Sequence, residues 1–232
     1  MTMPCFQKGK CAICHTQSEE VHLMSTTVFG GPDTDLRPAP MERDSMCYWI
    51  NVCNRCGYVA PSIFEAPSDP AVYEIIKTEA YKNTDNIVFK GVLSRLFYRR
   101  SMLVASDPLA KYTNLLHAAW DCDDAIDTEN AVLMRKKALF SLNEVIEKKL
   151  YANNLSEEDA EQYLANLTLI KFDLLRRAGL FKEFEKEYAK LMQHPLTSKT
   201  IMQVIHFLHE LNARKDTSCH QAHEAFQEAA KK

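Results

Sequence analysis

The chain has 232 residues, 46% hydrophobic and 25% charged, with 28 basic against 31 acidic side chains and a formal net charge of -3. This is globular composition, which excludes a disordered chain, and no apolar run approaches the roughly 18 residues of a spanning helix. Met1 to Lys10 holds no apolar core of an export signal, so a cytoplasmic location is expected, where the 8 cysteines should serve as metal ligands or free thiols rather than disulfides.

Six of those cysteines lie in the first 56 residues: Cys5, Cys11, Cys14, Cys47, Cys53 and Cys56. Cys5-x5-Cys11-x2-Cys14 and Cys47-x5-Cys53-x2-Cys56 repeat one spacing. A Cys-x2-Cys turn lets two thiolates reach one ion, and two such turns supply the four tetrahedral ligands that zinc prefers. Cys11, Cys14, Cys53 and Cys56 are therefore the candidate ligands of one Zn2+. Gly57 follows the second pair, where a left-handed residue closes the turn; His15 holds the same place in the first. Cys5 and Cys47 are candidate additional ligands, or else thiols beside a sheet, and His15 and His22 are weaker candidates of the same kind. Cys11-Ala12-Ile13-Cys14-His15 also matches the c-type haem attachment pattern, but that chemistry follows export. The doubled motif likewise favours metal over thiol exchange.

The 38 residues between Cys14 and Cys53 exceed the usual spacing of about 15–20 between such pairs. Val21 to Phe29 and Cys47 to Val52 are β-prone, so the insert should be part strand. The reading is a zinc ribbon whose knuckles are joined by a small antiparallel sheet, with Gly30 to Asp44 as a long exposed loop. So small a ribbon buries little apolar surface, and metal binding should contribute much of its folding free energy.

After Pro70 the texture changes, and a boundary falls at Ala66 to Pro70, giving a zinc-ribbon domain over 1–66 and a helical domain over 67–232. Residues 1–66 carry five basic and seven acidic side chains, so neither part has the concentrated positive charge of a general nucleic-acid binder. Apolar stripes and caps predict helices near 70–83, 86–104, 107–121, 128–152, 156–178, 181–193, 197–213 and 217–230. Leu174 to Phe184 reads as the turn of a tetratricopeptide-like hairpin, against the alternative of an irregular bundle. The expected fold is mainly α: a small amino-terminal β zinc ribbon packed on a carboxy-terminal array of antiparallel helical hairpins.

Two further clusters invite comparison with metal sites. Asp121, Asp123, Asp124 and Asp127 lack the spacing of a calcium loop and read as a solvated helix end. His206 and His209 on one predicted helix, with His220 and His223 on the next, would converge on a second metal if the helices were antiparallel. No phosphate-binding glycine loop, nucleophile elbow or zincin motif occurs.

Leu36-Arg37-Pro38-Ala39-Pro40-Met41, Tyr48-Trp49-Ile50 and Cys53-Asn54-Arg55-Cys56-Gly57-Tyr58-Val59-Ala60-Pro61 resemble a bacterial family of uncharacterised proteins. The resemblance implies a cysteine-rich amino-terminal zinc ribbon joined to a helical, often tetratricopeptide-like tail, and implies no activity. It carries the four ribbon cysteines over by position. The functional expectation is a structural-zinc protein whose helical scaffold binds a protein or peptide partner, with no membrane role. The alternatives are a metal- or thiol-dependent enzyme with a site between the domains, and a nucleic-acid-binding ribbon around Arg37, Arg43, Arg55, Trp49 and Tyr58.

Overall fold

The computed structural model describes residues 3–229. By its contacts the chain forms two compact units, one of residues 1–29 and 40–131, the other of residues 30–39 and 132–232. This division does not coincide with the break expected between 66 and 67.

The first unit opens with an antiparallel hairpin, β1 (Met3–Lys10) and β2 (Gln17–Ser25), paired from Pro4 with Leu23 to Lys10 with Gln17. β1 was not expected from the sequence. Pro4, Gly9 and three polar residues mask it, and almost all of it is exposed, so no apolar alternation marks it. The strand expected over Cys47 to Val52 is instead a 3-10 turn, Arg43–Tyr48, which buries Met46; only Asn51–Val52 is extended, as β3, paired with β4 (Val59–Ala60).

The helix expected over 70–83 is broken into α1 (Val72–Ile75) and α2 (Glu79–Lys82). Thr78 turns extended between them, and its Oγ1 accepts from the Tyr81 N–H at 3.2 Å. The break lets the buried Tyr81 hydroxyl donate to the Gly57 carbonyl at 2.6 Å, tying α2 to the second cysteine turn. α3 (Val92–Leu103) starts later than expected because Thr84, Asp85 and Asn86 take positive φ. Its first turn is capped from α4 (Pro108–Asp124), where Asp121 Oδ2 accepts the Ser94 N–H at 2.6 Å; a side chain at Gly91 would collide with that carboxylate. α3 and α4 pack as a hairpin, with the half-buried His117 ring between Trp49, Phe97 and Trp120 at 4.9–5.1 Å.

The second unit contains most of α5 (Thr128–Glu147), then α6 (Glu157–Arg177), α7 (Phe181–Gln193), α8 (Lys199–Ala213) and α9 (Glu224–Ala229). Ser156 caps α6 as its hydroxyl predicts, and Ser198 caps α8. Gly179, at φ +72°, ends α6, and the Leu180 N–H closes the turn on the Leu175 carbonyl. Phe184 of α7 is fully buried against Phe172, their ring centroids 4.8 Å apart, and α8 packs on both α6 and α7. The helix expected over 217–230 is cut to α9; position 230 lies outside the described residues.

The loop expected to be exposed over Gly30 to Asp44 is corrected in its first part. Asp33, Thr34, Asp35 and Arg37 are only 1–3% exposed. Residues 30–39 form a strap that belongs to the helical unit: the Thr34 N–H donates to the His220 carbonyl at 2.9 Å, the Thr34 hydroxyl to Asp173 Oδ1 at 2.8 Å, and Arg177 pairs with Asp35 at 3.3 Å. Asp173 and Arg176 are fully buried, 2.8 Å apart. Burial alone would raise the Asp173 carboxyl, but the Arg176 and Arg177 guanidiniums and the Thr34 hydroxyl overcome it and hold the group below the ordinary carboxylate range. Polar residues read as loop are thus the partners of buried charges that helical periodicity could not explain.

Candidate metal centre

The two Cys-x2-Cys segments fold into matching turns. In the first, the His15 N–H donates to the Cys11 carbonyl at 2.9 Å and the Cys11 N–H to the Thr16 carbonyl at 3.0 Å. In the second, the Gly57 N–H donates to Cys53 at 2.8 Å and the Cys53 N–H to Tyr58 at 2.9 Å. His15, at φ +55°, adopts the left-handed conformation that Gly57 takes at +76°. Histidine at this place shapes the turn and is exposed, and it does not join the sulfurs as a ligand.

The turns face each other. The sulfurs of Cys11, Cys14, Cys53 and Cys56 all lie within 4.8 Å of one another, with Cys11 to Cys56 at 3.7 Å and Cys14 to Cys53 at 3.6 Å. Four thiolates around an ion at about 2.3 Å would stand about 3.8 Å apart in a tetrahedron, so the cluster can hold one metal ion. Cys11 and Cys53 are buried in an apolar cluster with Tyr58, Ile63, Val72 and Tyr81, which joins the site to α1, α2 and α3. The Ala12 N–H adds a link, donating to the Ile63 carbonyl at 2.8 Å.

The four sulfurs are not equivalent. Cys14 Sγ lies 3.4 Å from the Thr16 hydroxyl, and this hydrogen bond to the thiolate draws Cys14 down to about 6. Burial pushes the Cys11 and Cys56 thiols up. Of these three Cys14 gives up its proton most readily, and ion binding must displace the protons that burial holds on Cys11 and Cys56. Ser18 Oγ lies 3.9 Å from Cys53 Sγ. Neither hydroxyl was singled out from the sequence; their place just beyond the first cysteine turn is the only signal that marks them.

Cys5 and Cys47 do not join the cluster. Cys5 is exposed on β1, and Cys47 is exposed on the 3-10 turn with its thiol near the Asp44 carbonyl. His22 instead meets Glu20 at 2.9 Å. Glu20 is 1% exposed, and its carboxylate also accepts from the Ser62 hydroxyl and the Phe64 N–H, each at 2.9 Å. It is the latch between the hairpin and the rest of the ribbon, and an isolated Glu in a strand gives no sequence sign of that role.

The second histidine site is not formed: among the described residues, the four cysteines are the only metal-competent group. His206 Nδ1 meets the Tyr188 hydroxyl at 2.6 Å, and His209 stacks on Tyr188 and meets Glu185 at 3.0 Å. His220 sits outside any helix between Asp216 and Glu224. The acidic cluster is likewise used in caps, Asp127 accepting from the Lys90 N–H and Asn130. Burial pushes Cys122 up to about 12, so it is an inert core thiol. No helix among the described residues is long and apolar enough to cross a membrane.

A family model described as an uncharacterized protein conserved in bacteria matches residues 6–214. No curated protein and no solved structure matches the chain.

Proposed function

The chain belongs to this uncharacterised bacterial family, and we propose that it is a structural-zinc protein that binds a protein or peptide partner in the cytoplasm. The observation that supports zinc is the donor set: four sulfurs from two matching turns at tetrahedral spacing. All-thiolate coordination favours zinc over hard cations, and a reducing compartment keeps such thiols available. Cys11, Cys14, Cys53 and Cys56 would hold the ion, which supplies cross-linking of the two turns. A closed set of four protein ligands leaves no position for water or substrate, so its role is to stabilise.

The partner-binding part rests on architecture. The helical hairpins of the second unit, tetratricopeptide-like in the α6–α7 turn, are of the kind that present side chains to peptides. With zinc and four thiolates counted, the ribbon gains negative charge, which opposes a general nucleic-acid role.

Metal quantification on the purified chain tests the zinc assignment. One equivalent of zinc is expected, and Cys53→Ala with Cys56→Ala should abolish it and unfold the ribbon; full retention of metal by that double variant overturns the assignment. Binding that weakens steeply with salt on single-stranded DNA or RNA would replace the partner reading with a nucleic-acid one.

A further inference from the structure

Among the described residues, no strand pairs with the outer edge of β2 beside the metal centre. Backbone groups in an antiparallel pair face the partner strand at every second residue. The Cys11 N–H donates to the Thr16 carbonyl, so Thr16, Ser18 and Glu20 are the positions that face β1. Val21 confirms the alternation, because its N–H donates to Asn51 Oδ1 at 3.0 Å and its carbonyl accepts from Asn51 Nδ2 at 3.3 Å. The Asn51 carboxamide thus ends the edge at Val21, as a neighbouring strand would. Gln17 and Glu19 share the parity of Val21, and their backbone N–H and C=O groups point away from β1.

These two residues line an open cleft of about 690 Å3, whose walls also include Lys8, Val52, Asn54 and Arg55. We propose that the cleft takes up an extended acidic segment of a partner polypeptide as an added strand on β2. This rests on the partner-binding reading above and gives it a place and a chemistry. Backbone pairing along Gln17 and Glu19 supplies affinity without regard to sequence, and the cleft wall selects side chains. Lys8 and Arg55 provide two cations against one carboxylate, Glu19, and Arg55 is exposed at the tip of the second cysteine turn. A guanidinium in that position matches a carboxylate in a bidentate pair. Single-stranded nucleic acid is the other ligand that two cations suggest, but the cleft walls hold no aromatic ring on which bases could stack.

The test is selection from a random peptide library, about seven residues long, on the zinc-loaded full chain, followed by titration of the selected peptides. Acidic sequences should emerge, and saturation should slow hydrogen exchange at the Gln17 and Glu19 amides. Glu19→Pro removes an outward N–H that β1 does not use, and should weaken the peptides roughly tenfold while zinc content stays at wild type. If that variant misfolds, Arg55→Glu, which leaves the strand intact, should weaken acidic peptides by a similar factor and invert the charge preference. The proposal is overturned if no peptide is selected, or if selected peptides bind Arg55→Glu at wild-type affinity. It is also overturned if oligothymidylate protects the same two amides and displaces the peptide. Peptides that instead protect the helices of the second unit remove this cleft and leave the partner-binding reading standing.

Discussion

Glu20 shows how one buried polar residue can hold an element in place. Its carboxylate serves Ser62, Phe64 and His22 from a site that is almost inaccessible to water. Removing it takes the acceptor from the Ser62 hydroxyl and leaves the Phe64 N–H only its longer bond to Ser62 Oγ at 3.3 Å, at a cost of about 1–3 kcal/mol. Glu20→Ala should therefore lower the urea midpoint by that amount without changing zinc stoichiometry, since no sulfur is touched. His117 makes the second test at this scale. Burial among Trp49, Phe97 and Trp120 lowers its pKa to about 4 from the ordinary 6.5. The unfolded chain then binds a proton that the folded chain refuses, so stability is complete above the unfolded pKa and is lost as pH falls towards the folded one. From about pH 7 to about pH 5 the loss attributable to this ring should be about 1–2 kcal/mol. His117→Phe, which preserves the aromatic packing, should flatten the pH dependence of the urea midpoint by that amount; an unchanged slope would remove the assignment.

Among the elements, the long helices were legible and the strands only in part: Val21 to Ser25 of β2 and Asn51–Val52 fall in segments that read as β-prone, whereas β1 does not. Ser156 and Asp107 mark helix starts that the structure keeps, because a cap is a local device read from a few residues. β1 is marked only by its pairing with β2, and the strap over 30–39 depends on partners far along the chain. The strap has no periodicity and looks like solvent-exposed loop, yet Thr34 binds Asp173 and His220 across 139 and 186 residues. Thr34→Val keeps the shape and deletes the hydroxyl, leaving buried Asp173 one donor short. It should destabilise the helical unit by about 1–2 kcal/mol, measured as faster hydrogen exchange in α6 and α8, with metal content unchanged.

At the level of the whole molecule, the metal cluster and its apolar surroundings lie within the unit of residues 1–29 and 40–131. Most of the α6–α8 packing lies in the other. Metal removal should accordingly be uneven in its effect. A strong chelator is expected to abolish amide protection around β3, β4 and α1 while α6 to α8 keep theirs, as read by hydrogen exchange; uniform loss would mean that the units fold as one.

The four-cysteine cluster is written in the chain's own order, because ligand chemistry and the Cys-x2-Cys spacing are local and carry their own geometry. The long helices α3 to α8 were legible for the same reason, through caps and apolar stripes. Long-range packing sets Cys5 and Cys47 apart from the cluster and pairs His206 with Tyr188 and His209 with Glu185. It also decided that Asp33 to Arg37 are buried. Those outcomes depend on which distant groups meet, and a buried charge or an open strand edge is defined by its surroundings and by no residue pattern of its own.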